Sequence, residues 1–279
     1  MINMNDETPL FFSSECNGRL FGIIHRPYRN KQPESKIAIV YAAPIFEEKL
    51  HSHRILVNFA RFAAGNGISV LRFDYRGDGE SDGLFEHASI SSRISDISTA
   101  IGFVKREMNP SKIFLLGLRF GATLSMLYPD VDGAVTSRVA WAPIIDPKKY
   151  FHDTLRVNVT SQTIVYKKVI HNREQLIDRI SKGGTVNIDG YELGNPLWDE
   201  ANNIDPAAMI PRNGKPALVV HISPSGRADK GLSEFISKDE QGRFEQRIIR
   251  EMNFWAAQRL VYPGCNSLFT ETLEWISRF

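Results

Sequence analysis

The chain has 279 residues, 42% hydrophobic and 24% charged, and its 34 basic and 32 acidic side chains leave a formal net charge of +2. That length holds one large domain with an insertion and is too short for two catalytic domains. The charges are mixed with no Lys/Arg block, which excludes an electrostatic footprint for nucleic acid, and no apolar run reaches membrane-spanning length. Residues 10–14 and 20–25 are short β-type runs separated by Asn17-Gly18, a hairpin signal. Residues 36–43 form a nearly continuous apolar run, as in a strand buried on both faces. A helix is predicted over 51–64, closed by Gly65-Asn66-Gly67, and a strand over 68–74. Ile90, Ile94, Ile97, Ile101, Val104 and Met108 fall at steps of three and four, one apolar stripe of a helix ending before Pro110. Residues 112–118 read as a buried strand, followed by a short helix before Pro129 and a strand over 138–143. The alternation then breaks over 147–211, which holds a polar helical segment at 173–181 and a hairpin around 185–191. It resumes with strands over 217–222 and 244–252 and a closing helix over 268–279. Alternating strands and helices imply a parallel sheet covered on both faces.

The opening residues, Met1 to Phe12, lack the basic and apolar segments of a signal peptide. Two cysteines, Cys16 and Cys265, do not make a disulfide framework, so a cytoplasmic location is expected. No internal repeat and no low-complexity stretch is present.

Gly117-Leu118-Arg119-Phe120-Gly121 lies where a buried strand turns sharply into a helix. Its glycines have a steric reason: a Cβ two residues either side of so tight an apex would collide with strand or helix. This frame resembles the G-x-S-x-G nucleophile elbow, with Arg119 in the serine's place. A guanidinium stays protonated and offers no lone pair, so it cannot accept an acyl group. Taken alone, the glycine spacing serves equally well to pack a helix close to a strand.

Asp74-x-Arg76-Gly77-x-Gly79-x-Ser81 resembles the D-x-R-G-x-G-x-S segment after the fourth strand of the α/β-hydrolase superfamily, in its serine aminopeptidase-like branch. A narrower resemblance rests on residues 44–54, the Gly-Leu-Arg elbow and Asn253-Phe254-Trp255. These look like the exosortase-system-associated hydrolases, a bacterial group tied to exopolysaccharide and surface-protein gene clusters whose members similarly carry arginine at the elbow. The resemblance implies an α/β-hydrolase fold with a mostly parallel eight-stranded sheet and helices on both faces. Residues 1–146 and 212–279 would form the core and 147–211 a cap insertion over the site.

A serine hydrolase needs a nucleophile, a histidine base after the last strand and an acid that orients it. The last of the seven histidines is His221, and the segment that should supply the base carries Asn253, Phe254 and Trp255. The acid position is the least demanding, and Asp229 and Asp146 both follow strands. Ser223, Ser225 and Cys265 sit in loops where such residues are usually bystanders. His221 lies inside an apolar strand and reads as a core histidine, while His51 and His53 open a helix near the site. His51 and His53, two apart on a helix, would splay their rings, so no metal site is expected.

What survives is a receptor for anions. The backbone N–H of Phe120, with that of Ile45 or Phe46, would still point at the former oxyanion position. Arg119 adds a full charge and a bidentate donor fork at a helix N-terminus. Glu47 and Glu48 face it: one could clamp Arg119 as an ion pair, serve as a general base, or supply N-terminal helix charge. The expected ligand set is Arg119, Glu47, Glu48, Phe46, Phe120 and Trp255, with Glu47 the nearest partner of Arg119. Arg119 and Glu47 are the candidates for any catalytic role. The expectation is a small acidic or acylated ligand, no cofactor, no nucleic acid and no membrane span. Two function classes stand. The first is a non-hydrolytic protein of hydrolase fold, either a binding or accessory protein or an enzyme with unconventional chemistry on an acidic or acylated metabolite; the second is an ester or thioester hydrolase or acyltransferase with relocated catalytic groups.

Overall fold

The computed structural model describes residues 7–13, 18–27, 36–211, 214–256 and 264–279. Asn17 of the hairpin signal and Cys16 lie outside the described residues. The first half of the chain runs β1 (Glu7–Ser13), β2 (Arg19–His25), β3 (Ile37–Ala42), α1 (Glu47–Gly65), β4 (Ser69–Phe73), α2 (Ile90–Met108), β5 (Lys112–Leu118), α3 (Phe120–Leu127) and β6 (Ser137–Trp141). An insertion follows, made of α4 (Pro147–Tyr166), α5 (Arg173–Ser181), the hairpin β7 (Val186–Ile188) and β8 (Tyr191–Leu193), and α6 (Asn195–Asn203). The chain then completes the sheet with β9 (Ala217–Ser223), α7 (Lys230–Ile236), β10 (Phe244–Arg250) and α8 (Asn266–Ile276).

Eight strands form one sheet in the order β1-β2-β4-β3-β5-β6-β9-β10. β2 is antiparallel to both neighbours, and every pairing from β4 to β10 is parallel. The central strands explain their composition: all but the first residue of β3 and of β5 are buried, because helices cover both faces. The predicted stripe on α2 buries Ile90, Ile97, Ile101 and Val104 against the sheet. Ser89 caps this helix through a reciprocal bond with Ser92, and Asn109 ends it in a left-handed conformation.

Two departures from the sequence reading matter below. Helix α1 starts at Glu47 rather than residue 51, so both glutamates lie in its first turn. The insertion opens with a 20-residue helix, α4, that residue periodicity did not announce. Asp146 caps it by accepting from Lys149 N, and Pro147 occupies its first turn. Aromatic rings seat the insertion on the core: Phe46 lies 6.0 Å from Phe151 and 5.8 Å from Tyr191, and Phe120 lies 5.5 Å from Phe151.

Candidate functional site

β5 feeds Arg119 into a turn of φ 53° and ψ −121°, a region that costs a non-glycine residue on the order of 1–3 kcal/mol. The flanking glycines make this turn possible. A Cβ on Gly117 would stand 2.3 Å from Gly121 O, and one on Gly121 would stand 2.1 Å from Ala42 O. Arg119 therefore projects from the carboxyl edge of the sheet at the start of α3, where open α/β folds hold their ligands.

Its guanidinium is held on three sides. Nε donates to Glu48 Oε1 at 3.1 Å, Nη1 reaches Ala142 O at 3.4 Å, and the group lies 5.1 Å from the centre of the Trp255 ring. Both charged side chains are mostly sheltered, Arg119 at 22% and Glu48 at 18% exposure. Burial raises the Glu48 carboxyl above its ordinary pKa, and the Arg119 charge offsets that only in part. The Tyr150 hydroxyl, contributed by α4, is pushed well above the ordinary phenol range by burial and then by the Glu48 charge beside it. The Tyr150 hydroxyl also stands against this carboxylate, and apart from that contact Glu48 Oε2 is buried without a partner.

Beyond the pair opens a cavity of about 710 Å³. Its walls come from the loop after β6 (Ala142 to Asp146), the first turns of α4 (Lys149, Tyr150, Asp153), the segment from His221 to Asp229, and Asn253 with Trp255. Arg119, Lys149 and Arg227 bring positive charge, and Asp146, Asp153 and Asp229 bring negative. The carboxylates are largely engaged. Asp146 and Asp229 accept from the backbone of Lys149 and Leu232 at helix starts, and Lys149 Nζ holds Asp153 at 2.6 Å.

Of the six expected ligand residues, Arg119 and Trp255 line the cavity. Glu48, not Glu47, contacts Arg119: successive helical residues point about 100° apart, and Glu47 turns outward to lie 3.4 Å from His51 Nε2. The side chains of Phe46 and Phe120 are buried in the aromatic seat and do not border the cavity. His53 faces the other way, in a small pocket with Arg72, Lys49 and Asp74. His221 borders the cavity, yet both its nitrogens are engaged: Nδ1 accepts from Asp229 N at 3.0 Å and Nε2 lies 3.1 Å from Gln246 Oε1. That leaves it no free nitrogen for Ser223, whose hydroxyl donates to Arg227 O at 2.8 Å. Asp229 stands after β9 but spends its carboxylate capping α7. Cys265 is buried and its thiol pKa raised, as an inert core residue. Among the described residues no cluster of His, Cys, Asp or Glu could hold a metal ion, and no helix is long and apolar enough to cross a membrane.

Tyr150, Lys149, Asp153 and Arg227 are polar cavity residues that sequence reasoning missed. Asp146-Pro147 is a helix-start signal that would have placed the first two.

The overall fold matches solved structures along almost the whole chain. Est1E from Butyrivibrio proteoclasticus, solved with ferulic acid bound, aligns with a TM-score of 0.70 over 96% of this chain and 98% of its own, at 16% identity. An esterase of Pyrococcus furiosus aligns at 0.65 over 98% and 91%, also at 16% identity. A serine hydrolase without a lid from Xanthomonas campestris aligns at 0.59 over 100% and 97%, at 13% identity. The fold is that of the α/β-hydrolases. In sequence, residues 49–187 match the family described as serine aminopeptidase, S33. A protein of Rickettsia prowazekii described as uncharacterized is 27% identical over 120 residues, 42% of this chain. The matched stretch spans 48% of that relative's length. Within the α/β-hydrolase fold, the apex held by Arg119 is the position from which a nucleophile is presented.

Proposed function

We propose that this α/β-hydrolase-fold chain is non-hydrolytic and holds a small acidic or acylated metabolite in the cavity beside Arg119. One observation carries the reading: Arg119 occupies the elbow apex, clamped by Glu48 on one side and open to a 710 Å³ cavity on the other. A guanidinium has five donors, and Glu48 and Ala142 occupy two of them. A carboxylate or phosphate entering the cavity would take up remaining donors beside the N-terminus of α3. Trp255 offers its ring to the same ligand. The Ser-His pair is absent in this reading because the apex carries arginine and no histidine follows His221. In this proposal the ligand belongs to exopolysaccharide or cell-surface biosynthesis, which the Gly-Leu-Arg elbow supports through its resemblance to the exosortase-system-associated hydrolases. A cytoplasmic location and the reading of residues 147–211 as a cap are parts of the same proposal.

The second reading is an ester or thioester hydrolase or acyltransferase with relocated groups. It is favoured by the named esterase among the solved structures of the same fold and by Ser223 and Ser225 at the cavity wall. One experiment separates the two. A fluorophosphonate probe and p-nitrophenyl acetate and butyrate are offered to the protein, alongside thermal unfolding with benzoate, ferulate, glucuronate and phosphate. The first reading expects no labelling, no covalent turnover, and a stabilisation by at least one anion that Arg119→Ala removes. Stoichiometric labelling of Ser223, Ser225 or another serine would establish the second reading instead.

A further inference from the structure

The end of α4 and the chain leaving it form an apolar tip that nothing in the fold covers. Ile164, Val165, Tyr166, Val169 and Ile170 are between 45% and 66% exposed, and Val157, two turns earlier on α4, is 57% exposed. Every residue over 163–170 is exposed, so this is a protruding turn rather than a groove. Its shape is fixed from within. Gln162 is buried, and its Oε1 accepts from Ile170 N and His171 N, both at 2.9 Å. Its Nε2 donates to Asn158 Oδ1 at 2.9 Å and His171 O at 3.2 Å. Lys167 makes the reversal in a left-handed conformation. One buried amide thus clamps both arms of the turn and holds the apolar side chains outward.

Within this segment, up to the exposed Glu174 that follows it, the charge has one sign. Residues 157–173 contain no aspartate or glutamate, while Lys167, Lys168 and Arg173 are basic. Lys167 and Lys168 sit within the apolar run itself. A second copy of the chain would bring these lysines against their equivalents, which disfavours self-association. A convex apolar tip with embedded lysines and a tyrosine instead fits an anionic lipid surface. There the aliphatic side chains enter the head-group boundary, the tyrosine sits at the interface and the ammonium groups meet lipid phosphate.

We infer that this tip docks the protein onto the surface of anionic membranes, as a peripheral contact and not a span. The consequence follows from α4 itself. Lys149 and Tyr150 at its start border the cavity, and the tip is its other end, so docking holds the cavity within about one 30 Å helix length of the lipid. The inference does not depend on what the cavity binds.

The test is vesicle flotation of the full chain with phosphatidylcholine alone and with added phosphatidylglycerol, at low and high salt. Two double variants accompany it: Ile164→Asp with Val165→Asp, and Lys167→Glu with Lys168→Glu. All four side chains are exposed, so unchanged thermal unfolding certifies the fold of each variant. The expected result is binding to the anionic vesicles only, weakened by salt and reduced about tenfold or more in both variants. Absence of binding, equal binding to both vesicle types, or equal binding by the variants overturns the inference. So does a dimer by light scattering that Ile164→Asp dissolves, which would assign the tip to a second copy.

Discussion

Removing the Arg119 side chain tests the arrangement at the elbow most directly. Glu48 Oε1 lies 3.1 Å from Arg119 Nε, and at an effective dielectric of about 20 such a contact is worth roughly 5 kcal/mol of attraction. Burial nevertheless holds the Glu48 carboxyl above its ordinary pKa, so desolvation outweighs that attraction. Arg119→Ala would leave a sheltered carboxylate without its cation, which costs about 3–5 kcal/mol for a fully buried pair. With about a fifth of each side chain exposed, about 2–3 kcal/mol is expected. For a chain of this size that lowers the Tm by roughly 4–10 °C. The sign of the pH dependence follows from linkage. A carboxyl whose folded pKa is raised contributes its full stability below the unfolded value and loses it as pH rises through the folded one. Arg119→Ala raises the folded pKa further, so the deficit against wild type should be large near about pH 8 and small near about pH 5. Glu48→Gln should be close to neutral, and the double variant should recover most of what Arg119→Ala loses. Scanning fluorimetry of the four proteins across that range completes the cycle. Equal losses at both pH values, with no rescue by Glu48→Gln, would show that Arg119 acts on stability by packing alone.

Asp78→Ala should cost about 3–5 kcal/mol in urea unfolding. Arg93, 2.8 Å from Asp78 and wholly buried between the Tyr75 and Phe85 rings, would keep its charge with no partner. Gly121→Ala should cost about 3 kcal/mol or more, or abolish folding, because the new Cβ meets two carbonyl oxygens of rigid backbone; circular dichroism and yield read this out. His25 is buried, and desolvation followed by the Arg72 charge pushes its pKa down to about 4. The unfolded chain therefore takes up its proton first, and stability falls as pH drops from about 6.5 to about 4. Glu7, lowered chiefly by its bond from Arg61, adds a further loss at more acid pH, below the ordinary carboxylate value of 4.5. His25→Gln should flatten the wild-type slope over that window in a pH series of melting temperatures. Arg119→Ser alone should gain no p-nitrophenyl butyrate turnover, since His221 has both nitrogens engaged.

The elements that could be read from sequence are those whose burial pattern is one-sided or complete. The stripe from Ile90 to Met108 and the apolar runs of β3 and β5 declare themselves because the same face, or both faces, meet the core. Helix α4 does not, because the insertion covers only part of it. Phe151, Leu155 and Gln162 are buried, while Val157, Ile164 and Val165 face outward. Its apolar residues therefore trace no single stripe, and its β-branched content weakens the helical signal further. The expected partner of Arg119, Glu47, lies one residue from the observed one, Glu48, for a related reason. Placing the start of α1 at residue 51 leaves Glu47 and Glu48 in a loop, where neither has a defined direction. Starting it at Glu47 fixes their azimuths, and only Glu48 looks back at the elbow. The cavity walls are further still from the sequence, since they join segments that topology alone brings together: β6 to α4, β9 to α7 and the loop after β10.

The elbow bears on what Arg119 is for. A turn of φ 53° and ψ −121° at a non-glycine residue persists only where the surroundings over-determine it. Here they do: glycine at 117 and 121 lets the backbone of α3 close to within contact of β3 and β5, and Arg119 N is tied to Trp141 O at 2.9 Å. A side chain at that apex cannot relax onto the sheet and must point over its carboxyl edge. In a lysine or arginine that edge position fixes a long cation beside the start of α3, and Glu48 with Trp255 then limits its rotamers. Were the position a mere filler, a short or apolar residue would satisfy the turn without drawing a second charge out of water. Instead the fold shelters a carboxylate whose burial is unfavourable and holds a guanidinium facing a cavity. Any residue at the apex would share the backbone strain, but the desolvation at Glu48 is a cost that a filler would not bring, and it favours the proposed binding role of Arg119 over an inert one.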